Sequence, residues 1–362
     1  MALSARPGCR RRPTETVAIL IAAFCLLLTG CEKSTKVLTI LGPPLCISPE
    51  VVSAFEQSEK CQVRFVPALT VDDLMTTVRE ERIDVDLIIG HADGIAQLQR
   101  EGLLKELRVT KLPNRRFIDP YLLANSGFLN LWRFAVPLYV DPIGLAAPEA
   151  ESGRLDNLSW RSLDETRVDG SKVAKSTILL NDKRAAISAA LLALDLPANA
   201  TDATSLLRAE QKLSEWCQAG LTFRGRSHPY HLLTNKVLLS QSLFSDIRPL
   251  EPDWRFLLPQ SGFAVSVDCM AVFEGTQHSI LAHRFINYVC GVNPSAQNMR
   301  WSLSLSPNKD AFALALTDVS HPALSFCNPN WSSAAVLLRP LAPEEEKRYA
   351  DIWLKFRKFC VD

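Results

Sequence analysis

Tyrosine is scarce in this 362-residue chain: there are five and no two are adjacent, which disfavours a tyrosine-rich ferric site. An excess of either charge is also missing, with 40 Lys+Arg against 39 Asp+Glu, so a polybasic nucleic-acid binder is excluded. Nowhere do two cysteines stand at C-x-x-C spacing, which removes the usual zinc knuckle and the thioredoxin-like redox motif. The chain has no G-x-S-x-G, H-E-x-x-H or phosphate-loop signature. It also has no apolar run of the roughly 20 residues needed to cross a bilayer.

What is present is ordinary globular composition, 47% hydrophobic and 22% charged, which excludes a disordered or collagen-like chain. At about 100–200 residues per domain, the length predicts two domains. Arg10, Arg11 and Arg12 precede the uncharged stretch Val17 to Leu28, and Leu28-Thr29-Gly30-Cys31 follows as a lipoprotein processing box. Residues 1–30 are therefore expected to be a signal peptide and Cys31 the lipidated residue. Their removal takes four arginines and one glutamate and leaves a slightly acidic protein tethered to a bacterial membrane.

Seven cysteines remain: Cys46, Cys61, Cys217, Cys269, Cys290, Cys327 and Cys360. Cys46 and Cys61 are spaced to close a short loop in an oxidising compartment. The apolar strings around most of the others predict buried, inert thiols.

Hydrophobic periodicity predicts strands at 36–41, 61–66 and 85–90 alternating with helices at 48–57, 71–81 and 93–101, a βαβ opening that implies a parallel sheet covered on both faces. Two short strands are expected at 134–140 and 143–147, split by Asp141-Pro142, and another at 176–180. Helices follow at 184–194 and 205–219, strands at 237–243 and 261–272, and helices at 278–292, stopped by Gly291, and 344–358. This order predicts two α/β lobes connected near 140–146 and 266–274. The first, discontinuous lobe spans 36–140 and 274–362 and the second spans 141–273. Ligands are expected in the cleft between them, at the carboxyl ends of the strands.

Several segments, in order along residues 36–358, carry a resemblance. They are Asp86-Leu-Ile-Ile-Gly with the following Ile95 to Leu107, Val136-Pro-Leu-Tyr with Ile143-Gly-Leu, Leu179-Leu-Asn-Asp, and Val267-Asp-Cys-Met-Ala-Val ahead of Phe285-Ile-Asn-Tyr. The set resembles the spermidine/putrescine-binding receptors of ABC importers, a branch of the extracellular solute-binding proteins. The resemblance implies a two-lobed periplasmic-binding-protein fold with an inter-lobe ligand cleft. It also implies a polyamine ligand, an ABC permease as partner, a periplasmic and monomeric receptor, and neither enzymatic activity, cofactor, metal nor nucleic acid.

A polyamine is a chain of ammonium groups joined by methylenes, so each ammonium needs a carboxylate and the methylenes favour aromatic faces. Asp268 holds the place of an amine-contacting aspartate in that family. His91 and Asp93 fall at a hydroxyl and a tyrosine position, and Asp182 lies beside a second acidic position that strict register gives to Lys183. Gln241 or Ser240 stands at an aromatic position, and Tyr139 offers a ring from elsewhere. Where the family carries an aromatic-rich loop, this chain has Gly42-Pro43-Pro44-Leu45-Cys46, and Ser266 stands where the family has a tryptophan.

Other readings stay open on the residues alone. Lys183 and Arg184 at a helix start suit an anion. Cys46, Cys61 or Cys217 with a histidine would make a nucleophile pair. His228 and His231 flank Pro229-Tyr230, and a surface scaffold needs no site at all.

Overall fold

The computed structural model describes residues 36–68, 71–80, 84–152, 158–167, 170–225, 237–250, 252–317 and 334–360. The signal segment, Cys31, His228, Tyr230, His231 and Cys327 lie outside the described residues.

The opening is the predicted βαβ pattern. β1 (Lys36–Gly42), α1 (Pro49–Glu59), β2 (Cys61–Pro67), α2 (Val71–Arg79), β3 (Leu87–His91) and α3 (Ala92–Arg100) follow one another. β1 is flanked by β2 and β3, both parallel to it, and Leu38 to Gly42 are buried, the continuous apolar reading of a strand covered on two faces. At Gly42 a side chain would drive a Cβ to 2.8 Å from the Ile89 carbonyl, so glycine lets β1 and β3 close together at their carboxyl ends.

Beyond α3 the sheet is mixed: Thr177–Leu180 pairs in parallel with both of its neighbours, as expected, but the long connecting strands do not. β4 (Ala135–Pro148) and β9 (Phe263–Val272) pair antiparallel with each other, and β3 pairs antiparallel with β9. β4 carries the chain away from the first lobe and β9 carries it back, so the two connecting strands must run in opposite directions. Each is long enough to pass through both halves of one ten-stranded sheet, in which eight strands run in the order β2-β1-β3-β9-β4, then β7 (Leu239–Leu243), β5 (Thr177–Leu180) and β6 (Thr222–Arg224), with one further strand paired to β4 and one to β9. Asp141-Pro142 does not split β4 as predicted; one 14-residue strand continues through it. Its irregularity lies at Pro137/Tyr139, where the register slips by one residue beside a proline that has no N–H for the ladder.

The second half contains β5 (Thr177–Leu180), α4 (Lys183–Ala193), α5 (Ala203–Gln218), β6 (Thr222–Arg224), β7 (Leu239–Leu243) and β8 (Trp254–Leu257). α5 begins two residues before its expected start, capped by Asp202, whose side chain accepts from the Ser205 N–H at 2.9 Å. After β9 come α6 (Ser279–Val289) and two helices that periodicity did not predict, α7 (Val292–Ser302) and α8 (Lys309–Thr317). Gly291 does not stop a helix in the left-handed region. It is extended and forms the N-cap of α7.

β10 (Ala335–Leu337) joins the edge of β9, and α9 (Pro343–Cys360) closes the chain. One hydrophobic cluster gathers β1–β3, α1–α3, α6–α8 and the first part of β4. A second gathers α4, α5, β5 and β6. Tyr349, Ile352, Trp353 and Phe356, which recur at helical spacing along α9, are buried in this second cluster, with Trp353 and Phe356 edge-on to Phe223 at 5.6 and 5.1 Å. α9 thus packs against the 141–273 half, although the expected division assigns 274–362 to the first lobe.

Candidate functional site

The antiparallel registers bring three of the predicted site residues into one row: His91 at the end of β3 stands opposite Asp268 on β9, and Asp268 stands opposite Tyr139 on β4. Cross-strand partners project from the same face, and so do residues two apart on one strand. Ser266 and Asp141, which are themselves opposite each other, therefore extend the same strip.

The His91 Nδ1 lies 2.6 Å from Asp268 Oδ1 and 3.2 Å from the Ser266 hydroxyl. Both side chains of the pair remain partly open to solvent, 37% for His91 and 26% for Asp268. An incoming solute can therefore reach them.

Tyr139 forms the buried side of this strip. Its hydroxyl donates to the Cys46 carbonyl at 2.6 Å, and burial holds its ionisation far above the ordinary tyrosine range. It remains a neutral ring beside Asp268. Asp141 is buried and accepts from the Ser245 N–H at 3.2 Å and from the hydroxyls of Ser245 and Ser304. Sequence alternation from Tyr139 to Asp141 is the one signal that could have placed Asp141 on this face.

Trp301 escapes sequence reasoning because α7 does. Its indole donates to the Leu45 carbonyl at 2.8 Å and holds Leu45 at φ 59° in the Gly42–Cys46 loop. Leucine in the left-handed region costs roughly 1–2 kcal/mol, which this bond offsets in part. The loop that lacks rings of its own is thus bordered by a half-exposed tryptophan from another helix.

The other predicted residues are differently engaged. Asp93 lies in the first turn of α3, with His91 at the N-cap position. One Asp93 oxygen accepts from the Leu341 N–H at 3.3 Å and the other is 3.9 Å from Arg184 Nε. Burial raises its carboxyl above the usual range, and Arg184 opposes that rise.

Asp182 is the N-cap of α4, accepting from the Ala185 N–H at 2.8 Å. Lys183 pairs with Glu346. Gln241 is fully buried: its oxygen accepts from the Leu180 N–H at 3.2 Å and its amide donates to the Ala185 carbonyl at 2.8 Å. Both ends of Gln241 are engaged in joining β7 to β5 and α4.

Among the described residues the thiols form no nucleophilic centre. Cys46, Cys61, Cys269 and Cys290 are free, so the short Cys46–Cys61 loop is not closed, while Cys217 is disulfide-bonded. Burial pushes Cys46 and Cys290 up to about 12, with the Asp268 charge adding to the rise at Cys46. Such thiols stay protonated and unreactive near neutral pH.

Among the described residues no group of three His, Cys, Asp or Glu side chains is placed to hold a metal, and no helix is long and apolar enough to cross a membrane. A separate cavity behind the sheet, between Leu138, Met270, Cys290 and Asn308, has about 10 Å³ of free space, room for one water. What remains is a carboxylate oriented by an imidazole, flanked by hydroxyls and a buried ring and open on one side, which is chemistry suited to an ammonium group.

No family model matches the chain. It is 24% identical over 200 residues to the spermidine/putrescine-binding periplasmic protein 1 of Haemophilus influenzae, a match that spans about half of each protein, 54%. It is 19% identical over 325 residues to the putrescine/cadaverine-binding protein of Pseudomonas aeruginosa, covering 86% of this chain and 90% of that one. Among solved structures, the substrate-binding protein of a spermidine/putrescine ABC transporter from Streptococcus pneumoniae superposes with a TM-score of 0.77 at 18% identity, covering 90% of this chain and 99% of the other. The chain therefore has the two-lobed α/β fold of the extracellular solute-binding proteins, and its sequence is similar to the polyamine-binding proteins among them.

Proposed function

We propose that this protein is the substrate-binding component of an ABC importer, which captures a small cationic solute of the polyamine class, such as putrescine or spermidine, and delivers it to a membrane permease. The observation that carries the reading is the row His91–Asp268–Tyr139, a partly exposed carboxylate at the junction of β3, β9 and β4. The names of the sequence relatives point the same way.

In this reading the lobes, 36–140 with the segment after 274, and 141–273 with α9 packed on it, close over the ligand by rotation about β4 near 140–146 and β9 near 266–274. The protein acts as a monomer held in the periplasm by lipid on Cys31. A second reading keeps the fold and changes the solute. It is favoured by Arg184, which lies against Asp93 where a ligand cation is expected.

Titration calorimetry of the chain from Glu32 onward against putrescine, spermidine and spermine tests the proposal. Saturable binding at micromolar affinity or tighter supports the polyamine reading. A folded protein that binds none of the three moves the assignment to another solute.

A further inference from the structure

We infer that Arg184 is a tethered internal cation that occupies the cleft's second carboxylate, so that the site holds one ammonium group of its ligand and not two. The inference rests on the cation-binding reading above and deepens it. Asp268 and Asp93 flank the same point of the sheet: Asp268 pairs with His91 at the end of β3, and Asp93 follows His91 by two residues in the first turn of α3. A diamine held at both ends would need both of them.

Their partners differ in kind. Asp268 has an imidazole, which can orient a carboxylate without cancelling its charge when neutral. Asp93 has a guanidinium, which is charged at every working pH.

Arg184 is fixed in place. It is 4% exposed, donates to Asn199 Oδ1 and to the Arg339 carbonyl at 2.9 Å each, and lies 5.1 Å from the centre of the Tyr349 ring. Its Nε and Nη1 have no hydrogen-bond partner among the described residues, which leaves the Asp93 carboxylate at 3.9 Å as the charge that compensates them. Displacing Asp93 toward a ligand would strand a buried cation, a strongly unfavourable state. The remaining acids on this side are also engaged: Asp182 caps α4 and Asp141 is buried under Ser245 and Ser304.

The test compares putrescine with n-butylamine, which has the same four-carbon chain and one ammonium, by calorimetry on the chain from Glu32 onward. In the wild type the two dissociation constants are expected within about threefold, of which about twofold is the statistical advantage of two equivalent ends. In Arg184→Met, which keeps an unbranched side chain against Tyr349, putrescine is expected to gain at least about tenfold over n-butylamine.

Asp93→Asn, made in case Arg184→Met does not fold, is expected to leave the ratio within about threefold. A wild-type preference for putrescine of about tenfold or more that disappears in Asp93→Asn overturns the inference, as does a folded Arg184→Met with no gain. Failure of both amines to bind the folded wild type, with Asp268→Asn equally silent, overturns the cation reading itself and the inference with it.

Discussion

Asp268 interrupts an otherwise apolar strand, and its partners account for why it is tolerated there. The His91 imidazole lies 2.6 Å from one oxygen, Ser266 and Tyr139 stand beside it, and the side chain remains partly exposed. An ammonium ion docking on it makes charge-assisted hydrogen bonds worth roughly 1.5–3 kcal/mol. Asp268→Ala is therefore expected to weaken binding of a cationic solute by at least about tenfold while leaving the circular dichroism spectrum unchanged. An unaltered dissociation constant would remove Asp268 from the site. Asp268, His91 and Tyr139 are each legible in the amino-acid sequence as candidates. Their clustering is not, because the row depends on the register between strands far apart in the chain.

Secondary-structure elements account for the expected site residues whose polar groups are engaged in joining or capping elements. Gln241 bonds two backbone groups of the β5–α4 corner from inside β7. Gln241→Ala takes the Leu180 N–H's side-chain acceptor away in a buried corner, while the Ala185 carbonyl keeps the Ser188 hydroxyl as a donor, and should cost about 1–2 kcal/mol of stability by denaturant titration. A variant as stable as wild type would show that the corner does not need it.

At the other end of the same interface, Arg339 grips Glu345 in the first turn of α9 with two guanidinium contacts, 2.8 and 2.9 Å, and this lowers the Glu345 carboxyl to about 2. A carboxyl whose pKa is lower in the folded than in the unfolded chain stabilises the fold above its unfolded value of about 4.5. That stabilisation is lost as the pH falls through the folded value. Urea midpoints of wild type and Glu345→Gln are thus expected to differ at pH 7 and to converge between about pH 4 and pH 2. A gap that persists at pH 2 would mean that Glu345 acts through packing.

For the molecule as a whole, the decisive feature is that β4 and β9 belong to both halves of the sheet at once, with separate hydrophobic clusters on either side. A solute bound between the halves stabilises only the arrangement that encloses it. At a free concentration about 100 times the dissociation constant, it should add about 2.7 kcal/mol to stability. The expected outcomes are a rise in melting temperature and a smaller radius of gyration in solution scattering. A melting shift with an unchanged radius would keep the binding and exclude closure.

By itself, the sequence determined the α/β class, the βαβ opening and the apolar stripe of α9, because these follow from periodicities that local segments carry whatever surrounds them. It also determined the resemblance to polyamine-binding receptors. Only the tertiary structure decided that β4 continues through Asp141-Pro142 and that the connecting strands run antiparallel. It alone placed α9 on the second cluster, put Trp301 over the first loop and paired Asp93 with Arg184. Each of these joins residues remote in the chain, and the free energy of such contacts comes from burial and from charges meeting across elements, which no local pattern of amino acids encodes.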